Sequence, residues 1–191
     1  MAERVTGARP AVFLDRDGTL LVDPGYLRRP EDVRLLPGAA EAVARLNRGH
    51  LLVVIVTNQS GMARGLYGVA EFAAVQHRLT DLLATHGARI DGTYYCPHHP
   101  DVSGACGCRK PGVRLFEEAA AALGIDFRRS WFVGDKASDV EPAFALGGRG
   151  LLVETGEGSH HAAAARALGV PVVPDLAAAA DRILAPVDPR G

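Results

Sequence analysis

Short apolar runs alternating with segments of helical periodicity limit the folds open to this chain more than any other property it has. Ala11 to Leu14, Leu51 to Val56, Ile90 to Tyr95, Trp131 to Val133, Leu151 to Val153 and Val172-Val173 have the length and character of strands. Between them, Ala40, Val43, Ala44 and Leu46 give Ala39 to Asn47 a helical stripe, with Gly49 as its stop. Phe72, Val75, Leu79, Leu82 and Leu83 mark an amphipathic helix ending at Gly87. Val113 to Leu123, Val140 to Leu146, His161 to Leu168 and Leu176 to Leu184 read as further helices, and Pro186 to Gly191 as a frayed tail. Such alternation predicts an α/β fold: a doubly wound, mostly parallel sheet with helices on both faces. A chain of 191 residues, 48% hydrophobic, suits one domain over residues 1–191, with its core at about 11–184.

Charge narrows the partners. Lys and Arg number 21 against 22 Asp and Glu, a net charge of -1, so no global field draws nucleic acid or an anionic membrane. Anion recognition must be local. The longest apolar run is too short to span a bilayer, and Met1 to Pro10 lacks the apolar core of a secretory signal, so a cytoplasmic monomer is expected.

In an open parallel sheet, ligands bind beyond the carboxyl ends of the strands. The first run delivers Asp15 and Asp17 into a Gly-Thr turn, within FLDRDGTL. Side chains two apart on a strand share a face, so two carboxylates can converge there: one to attack, one to move a proton, with a divalent cation screening a charged substrate. Thr57 and Asn58 follow the second run, offering a hydroxyl and an amide to a phosphoryl oxygen, with the Gln59-Ser60-Gly61 turn behind them. Lys110 supplies a point charge and Arg109 a planar fork for a second anion. Asp135 after the fourth run is a hard-oxygen ligand for Mg2+; Asp139 either steadies it or caps a helix.

Cys96, Cys106 and Cys108 are the only cysteines, and Cys96-x-His98 with Cys106-x-Cys108 supplies the ligands of a closed tetrahedral zinc site over residues 96–108. His99 is a rival to His98. Such a site is structural, because four protein ligands leave no open position, and it would fix the loop that projects Arg109 and Lys110. His50, His77, His86, His160 and His161 lack matching partners and read as solvated, as does Arg28-Arg29, while Trp131 reads as core.

DxDGT, the strand-terminal Thr, the downstream Lys and GDxxxD, in this order over about Ala11 to Val153, resemble the four signature motifs of the haloacid dehalogenase superfamily of phosphohydrolases. TNQSGMARG from Thr57 and CPHHPDVSGACGCRKP from Cys96 are similar to its histidinol-phosphatase and heptose-bisphosphate phosphatase branch; VGDK and the early GYL suit the heptose side. The resemblance implies Asp15 as nucleophile, Asp17 as general acid then base, and Thr57 and Lys110 as stabilisers of the transferring group. It implies Mg2+ on Asp15, the Asp17 carbonyl and Asp135. Asn58, Arg64, Arg109 and Lys136 would face a small phosphorylated sugar, and His98 rather than His99 would complete the zinc set. No large insertion separates the motifs, so no cap domain is expected. A histidinol-phosphate phosphatase keeps the same catalytic set, and a zinc-stabilised binding module would have lost part of it.

Overall fold

The computed structural model describes residues 7–186. The expected tail lies almost entirely outside the described residues, as do the first six positions. Six parallel strands, β1 (Ala11–Leu14), β2 (Leu52–Asn58), β3 (Gly92–Cys96), β4 (Trp131–Gly134), β5 (Arg149–Val153) and β6 (Val172–Val173), pair in the order β3-β2-β1-β4-β5-β6. Helices α1 (Ala39–Arg48), α2 (Ser60–Ala63), α3 (Val69–Ala84), α4 (Pro100–Ser103), α5 (Arg114–Leu123), α6 (Ala137–Val140), α7 (Pro142–Leu146), α8 (Gly158–Ala167) and α9 (Leu176–Leu184) fill the connections. This is the expected doubly wound sheet.

Strand periodicity sorts the core into two layers. Val12, Leu14, Val53 and Ile55 point to the face covered by α1, α3 and α9, whereas Ala11, Phe13, Val54 and Val56 point to the face of α5 and α7. Phe13 stacks on Phe132 at 4.9 Å and meets Phe116 edge-on at 5.2 Å, a cluster that joins β1, β4 and α5. Burial on both faces explains why β1 and β2 read as continuous apolar runs instead of alternating ones.

Several boundaries differ from the sequence reading for identifiable reasons. β2 continues through Thr57 and Asn58 because β3 pairs with both, so these polar residues are strand-held. The helix expected over Val140 to Leu146 is two short ones, with Pro142 starting the second, since proline cannot continue the first without losing a hydrogen bond. α8 begins at Gly158, ahead of His161, and its histidines stay at the surface side of the helix. Trp131 packs against the core but remains half-buried, with the Arg149 guanidinium over its ring at 5.3 Å.

Connections leave β1 toward β2 on one side, while β4 returns to its other side. The direction of winding therefore reverses between the paired strands β1 and β4, and a crevice opens at their carboxyl ends. Asp15 and Asp135 are the residues that leave those two ends.

Candidate active site

The Asp15 amide still donates to the Val133 carbonyl at 3.0 Å, so its side chain is fixed by the last rung of β1-β4 pairing. Lys110 reaches it from the opposite direction. Its Nζ lies 2.7 Å from Asp15 Oδ1 and 2.8 Å from Asp139 Oδ1, and it donates to the Val56 carbonyl at 2.6 Å. All three hydrogens of the ammonium are thereby used. Desolvation pushes the Asp15 carboxyl well above the usual range, and Asp139, Asp17 and Asp135 reinforce this against the opposing charge of Lys110. Burial alone would lower Lys110, but the Asp139 and Asp15 charges outweigh it and hold its value up.

Asp135 is clamped on one oxygen. Its Oδ2 accepts from the Glu157 amide at 2.8 Å, and a Cβ built on Gly18 or Gly156 would stand 2.3 Å from that oxygen. Gly156, at φ 58°, closes on the carboxylate in a conformation that suits glycine. Thr155 Oγ donates to the Gly18 carbonyl at 2.7 Å and ties the β5 exit to the DxDGT turn. The other oxygen, Oδ1, is buried without a partner among the described residues. Burial raises the Asp135 carboxyl to about 6, against the Glu157 N–H bond. Carboxylate oxygens of Asp15, Asp135 and Asp139 lie within 4.8 Å of one another. An orphaned oxygen in a hard-oxygen cluster fits a divalent cation. Asp139 is already engaged: beyond Lys110, its Oδ2 caps α6 by accepting from the Lys136 amide at 2.9 Å.

The Asp17 side chain turns away from that cluster. It accepts from Arg16 Nε at 3.0 Å, Arg16 Nη2 at 2.9 Å and Gln59 Nε2 at 2.8 Å. Arg16 is 1% exposed, and its guanidinium lies over the Phe72 ring at 5.2 Å. Sequence reasoning missed Arg16 and Tyr67 and read Gln59 as a turn residue and a weaker candidate, with Ser60, for facing the substrate. An arginine between two aspartates looks like a solvated outer-face residue, and nothing in one sequence shows that α3 covers that face.

A cleft of about 470 Å³ brings together Asp15, Asp17, Thr57, Asn58, Arg109, Lys110 and Lys136. Asn58 brackets the Lys110 main chain, accepting its N–H at 3.0 Å and donating to its carbonyl at 3.3 Å. Lys136 Nζ pairs with Glu157 at 3.1 Å. Arg64 is not among the lining residues; its guanidinium lies 3.0 Å from His99 Nε2. Asp23, Tyr26, Tyr67 and Glu157 are also among the wall residues.

Beside the cleft, the cysteine loop closes on itself. Cys96 Sγ lies 3.1 Å from Cys108 Sγ and 3.6 Å from Cys106 Sγ, and His98 Nδ1 is 3.2 Å from Cys108. These separations approach the edges of about 3.8 Å expected for a tetrahedron with metal–sulfur bonds of about 2.3 Å. His99 is outside the cluster and caps α4. Arg109 donates to the His98 carbonyl at 3.2 Å, which couples the cluster to the cleft.

A HAD-hydrolase-like family model matches residues 107–179. A D-glycero-D-manno-heptose-1,7-bisphosphate 7-phosphatase of Thermosynechococcus vestitus is 41% identical over 197 residues, covering 95% of this chain and 99% of its own. A D-glycero-beta-D-manno-heptose-1,7-bisphosphate 7-phosphatase of Vibrio cholerae is 44% identical over 156 residues, 78% of this chain and 84% of that protein. The D,D-heptose 1,7-bisphosphate phosphatase of B. bronchiseptica, solved with magnesium and phosphate, superposes with a TM-score of 0.84 at 36% identity, covering 92% and 98% of the two chains.

Proposed function

Because the chain belongs to the heptose-bisphosphate phosphatase family of HAD-like hydrolases, we propose that it is a Mg2+-dependent phosphomonoesterase that removes the C7 phosphate of D-glycero-D-manno-heptose 1,7-bisphosphate. The observation that carries this reading is the convergence of Asp15, Lys110 and the orphaned Asp135 oxygen at the carboxyl ends of β1 and β4. Asp15 and Asp135 with the main-chain carbonyl of Asp17 would hold Mg2+, which supplies charge stabilisation to the transferring phosphoryl group.

In the first step an Asp15 oxygen attacks phosphorus, the bond from phosphorus to the C7 oxygen breaks, and Asp17 gives its proton to the departing alkoxide. In the second, Asp17 takes a proton from water, whose oxygen attacks the aspartyl-phosphate and frees Asp15. Lys110 and Thr57 act on the equatorial oxygens, where positioning and electrostatics are the main catalytic contributions.

Arg109 and Lys136 offer the C1 phosphate two cations along the cleft, with Asn58 fixing the strand of chain that carries Arg109 and Lys110. Arg64 stands outside that pair, its guanidinium 3.0 Å from His99 Nε2. Cys96, His98, Cys106 and Cys108 would bind structural Zn2+. The described residues form one domain without a cap in this reading, supported by residues 15–38, which hold turns, isolated bridges and one short 3-10 helix at Pro30–Asp32.

A panel of the heptose bisphosphate, histidinol phosphate and a 3'-phosphorylated oligonucleotide tests the assignment. We expect the bisphosphate to lead in kcat/KM. A tenfold or greater preference for histidinol phosphate, about 1.4 kcal/mol in transition-state binding, would replace it with the histidinol reading.

A further inference from the structure

Gln59 uses every hydrogen-bonding valence of its side chain. Oε1 accepts from Arg16 Nη2 at 3.1 Å and from the Tyr67 hydroxyl at 2.6 Å; Nε2 lies 2.8 Å from Asp17 Oδ2 and 2.8 Å from Thr57 Oγ. The amide is 2% exposed, so no water can substitute for a wrong partner. One of the four partners fixes its orientation. A guanidinium cannot accept, so the oxygen must face Arg16 and the nitrogen must then face Asp17. The hydroxyls then have no choice. Tyr67 donates, and Thr57 Oγ accepts. Burial pushes the Tyr67 phenol up to about 12, so it retains its proton.

Thr57 Oγ makes no other hydrogen bond among the described residues, and Thr57 lines the cleft. We infer that Gln59 is a positioning residue that makes Thr57 an obligate donor into the cleft, its O–H held toward a phosphoryl oxygen before substrate arrives. A hydroxyl left to rotate would accept as readily as donate, and part of its binding energy would go to reorientation. The polar chain runs one way, from Tyr67 through Gln59 and Thr57 to the bound anion, and each link strengthens the next. The Arg16 guanidinium, which can only donate, sets its direction. The reading of the cleft as a phosphoryl site underlies this inference.

A double-mutant cycle on inorganic phosphate binding to the Mg2+-loaded protein tests it. In the wild-type background, Gln59→Met should weaken phosphate by about tenfold, the range of a hydrogen bond to a charged group. Gln59→Glu should weaken it further, because a carboxylate draws the Thr57 proton back from the cleft. In a Thr57→Val background, Gln59→Met should cost less than about twofold, since the effect passes through a hydroxyl that is gone. Equal losses in both backgrounds, or no loss in either, would overturn the assignment. Wild-type turnover of the sugar bisphosphate and its loss in Asp15→Asn test the functional reading separately and can stand while the cycle fails. If the Gln59 variants do not fold, neutron diffraction of the wild-type protein decides instead. Deuterium on Thr57 Oγ directed into the cleft supports the inference, and deuterium directed at Gln59 contradicts it.

Discussion

At the residue scale, Asp15, Asp17 and Asp139 line the cleft and Asp135 lies against Asp15 and Asp139, and their surroundings give each a separate task. Asp15 is paired with Lys110, Asp139 caps a helix while holding the same lysine, Asp135 keeps a free oxygen, and Asp17 is fixed by Arg16 and Gln59. Asp15→Asn keeps the volume and removes the attacking oxygen, so turnover should fall by several powers of ten while the melting curve stays cooperative. A folded variant that retains a modest fraction of activity would exclude the aspartyl-phosphate. Asp17→Asn should be selective, slowing a sugar phosphate far more than a nitrophenyl phosphate, whose leaving group needs little protonation. Equal losses on the two esters would remove Asp17 from acid catalysis. Metal binding should be strongly pH-dependent. The Asp135 carboxyl is raised in the metal-free protein, so its contribution to stability is complete below the ordinary value of 3.8 and lost as the pH rises through about 6; Asp15 shifts in the same direction. Mg2+ requires both groups ionised, so the rise in Tm on adding it should be larger at about pH 8 than at about pH 5. A rise independent of pH, read in thermal melts, would show that these carboxyls are not the ligands.

At the level of elements, the strand exits and the cysteine loop divide the work of positioning. The loop carries Arg109 and Lys110 into the cleft, and the bond from Arg109 to the His98 carbonyl links its shape to the bound substrate. Cys106→Ser, or strong chelation, should therefore raise KM for the bisphosphate and loosen the loop before the sheet unfolds, with Mg2+ in excess. Zinc-free protein with full activity and unchanged melting would refute this role. Much of the arrangement was legible because apolar runs locate strands and their polar ends locate a crevice; Asp15, Thr57 and Asp135 were placed there that way, and Lys110 by the cysteine loop that follows β3. Three features were not. β2 reaches Asn58 only because β3 pairs with it, the break at Pro142 divides an otherwise continuous helical pattern, and the burial of Arg16 depends on α3 returning over the DxDGT turn. The first and third are tertiary contacts with no local signature, whereas Pro142 is a local signal that the periodicity overrode. Arg64 shows the converse, a residue within a family-like motif whose nearest partner is His99 at the rim.

For the whole molecule, the topology explains why a near-neutral chain can serve a substrate with two phosphate dianions. The crevice at the carboxyl ends of β1 and β4 concentrates Lys110, Arg109 and Lys136 around one cleft of about 470 Å³, in a protein whose net charge is only -1. Among the described residues no helix is long and apolar enough to cross a membrane. The cleft is open beside the turns of residues 15–38, so selectivity must come from contacts along its walls, and the Arg109→Ala variant should raise KM for the bisphosphate while a heptose carrying only the C7 phosphate is affected much less. Equal effects on the two substrates would remove Arg109 from recognition of the distal phosphate. The central claim concerns which ester bond breaks, and phosphorus NMR of the heptose 1,7-bisphosphate during turnover with Mg2+ reads it directly. The account predicts that the C7 phosphate resonance is replaced by inorganic phosphate while the C1 resonance persists; loss of the C1 phosphate, or no release by the folded, metal-loaded protein, would contradict it.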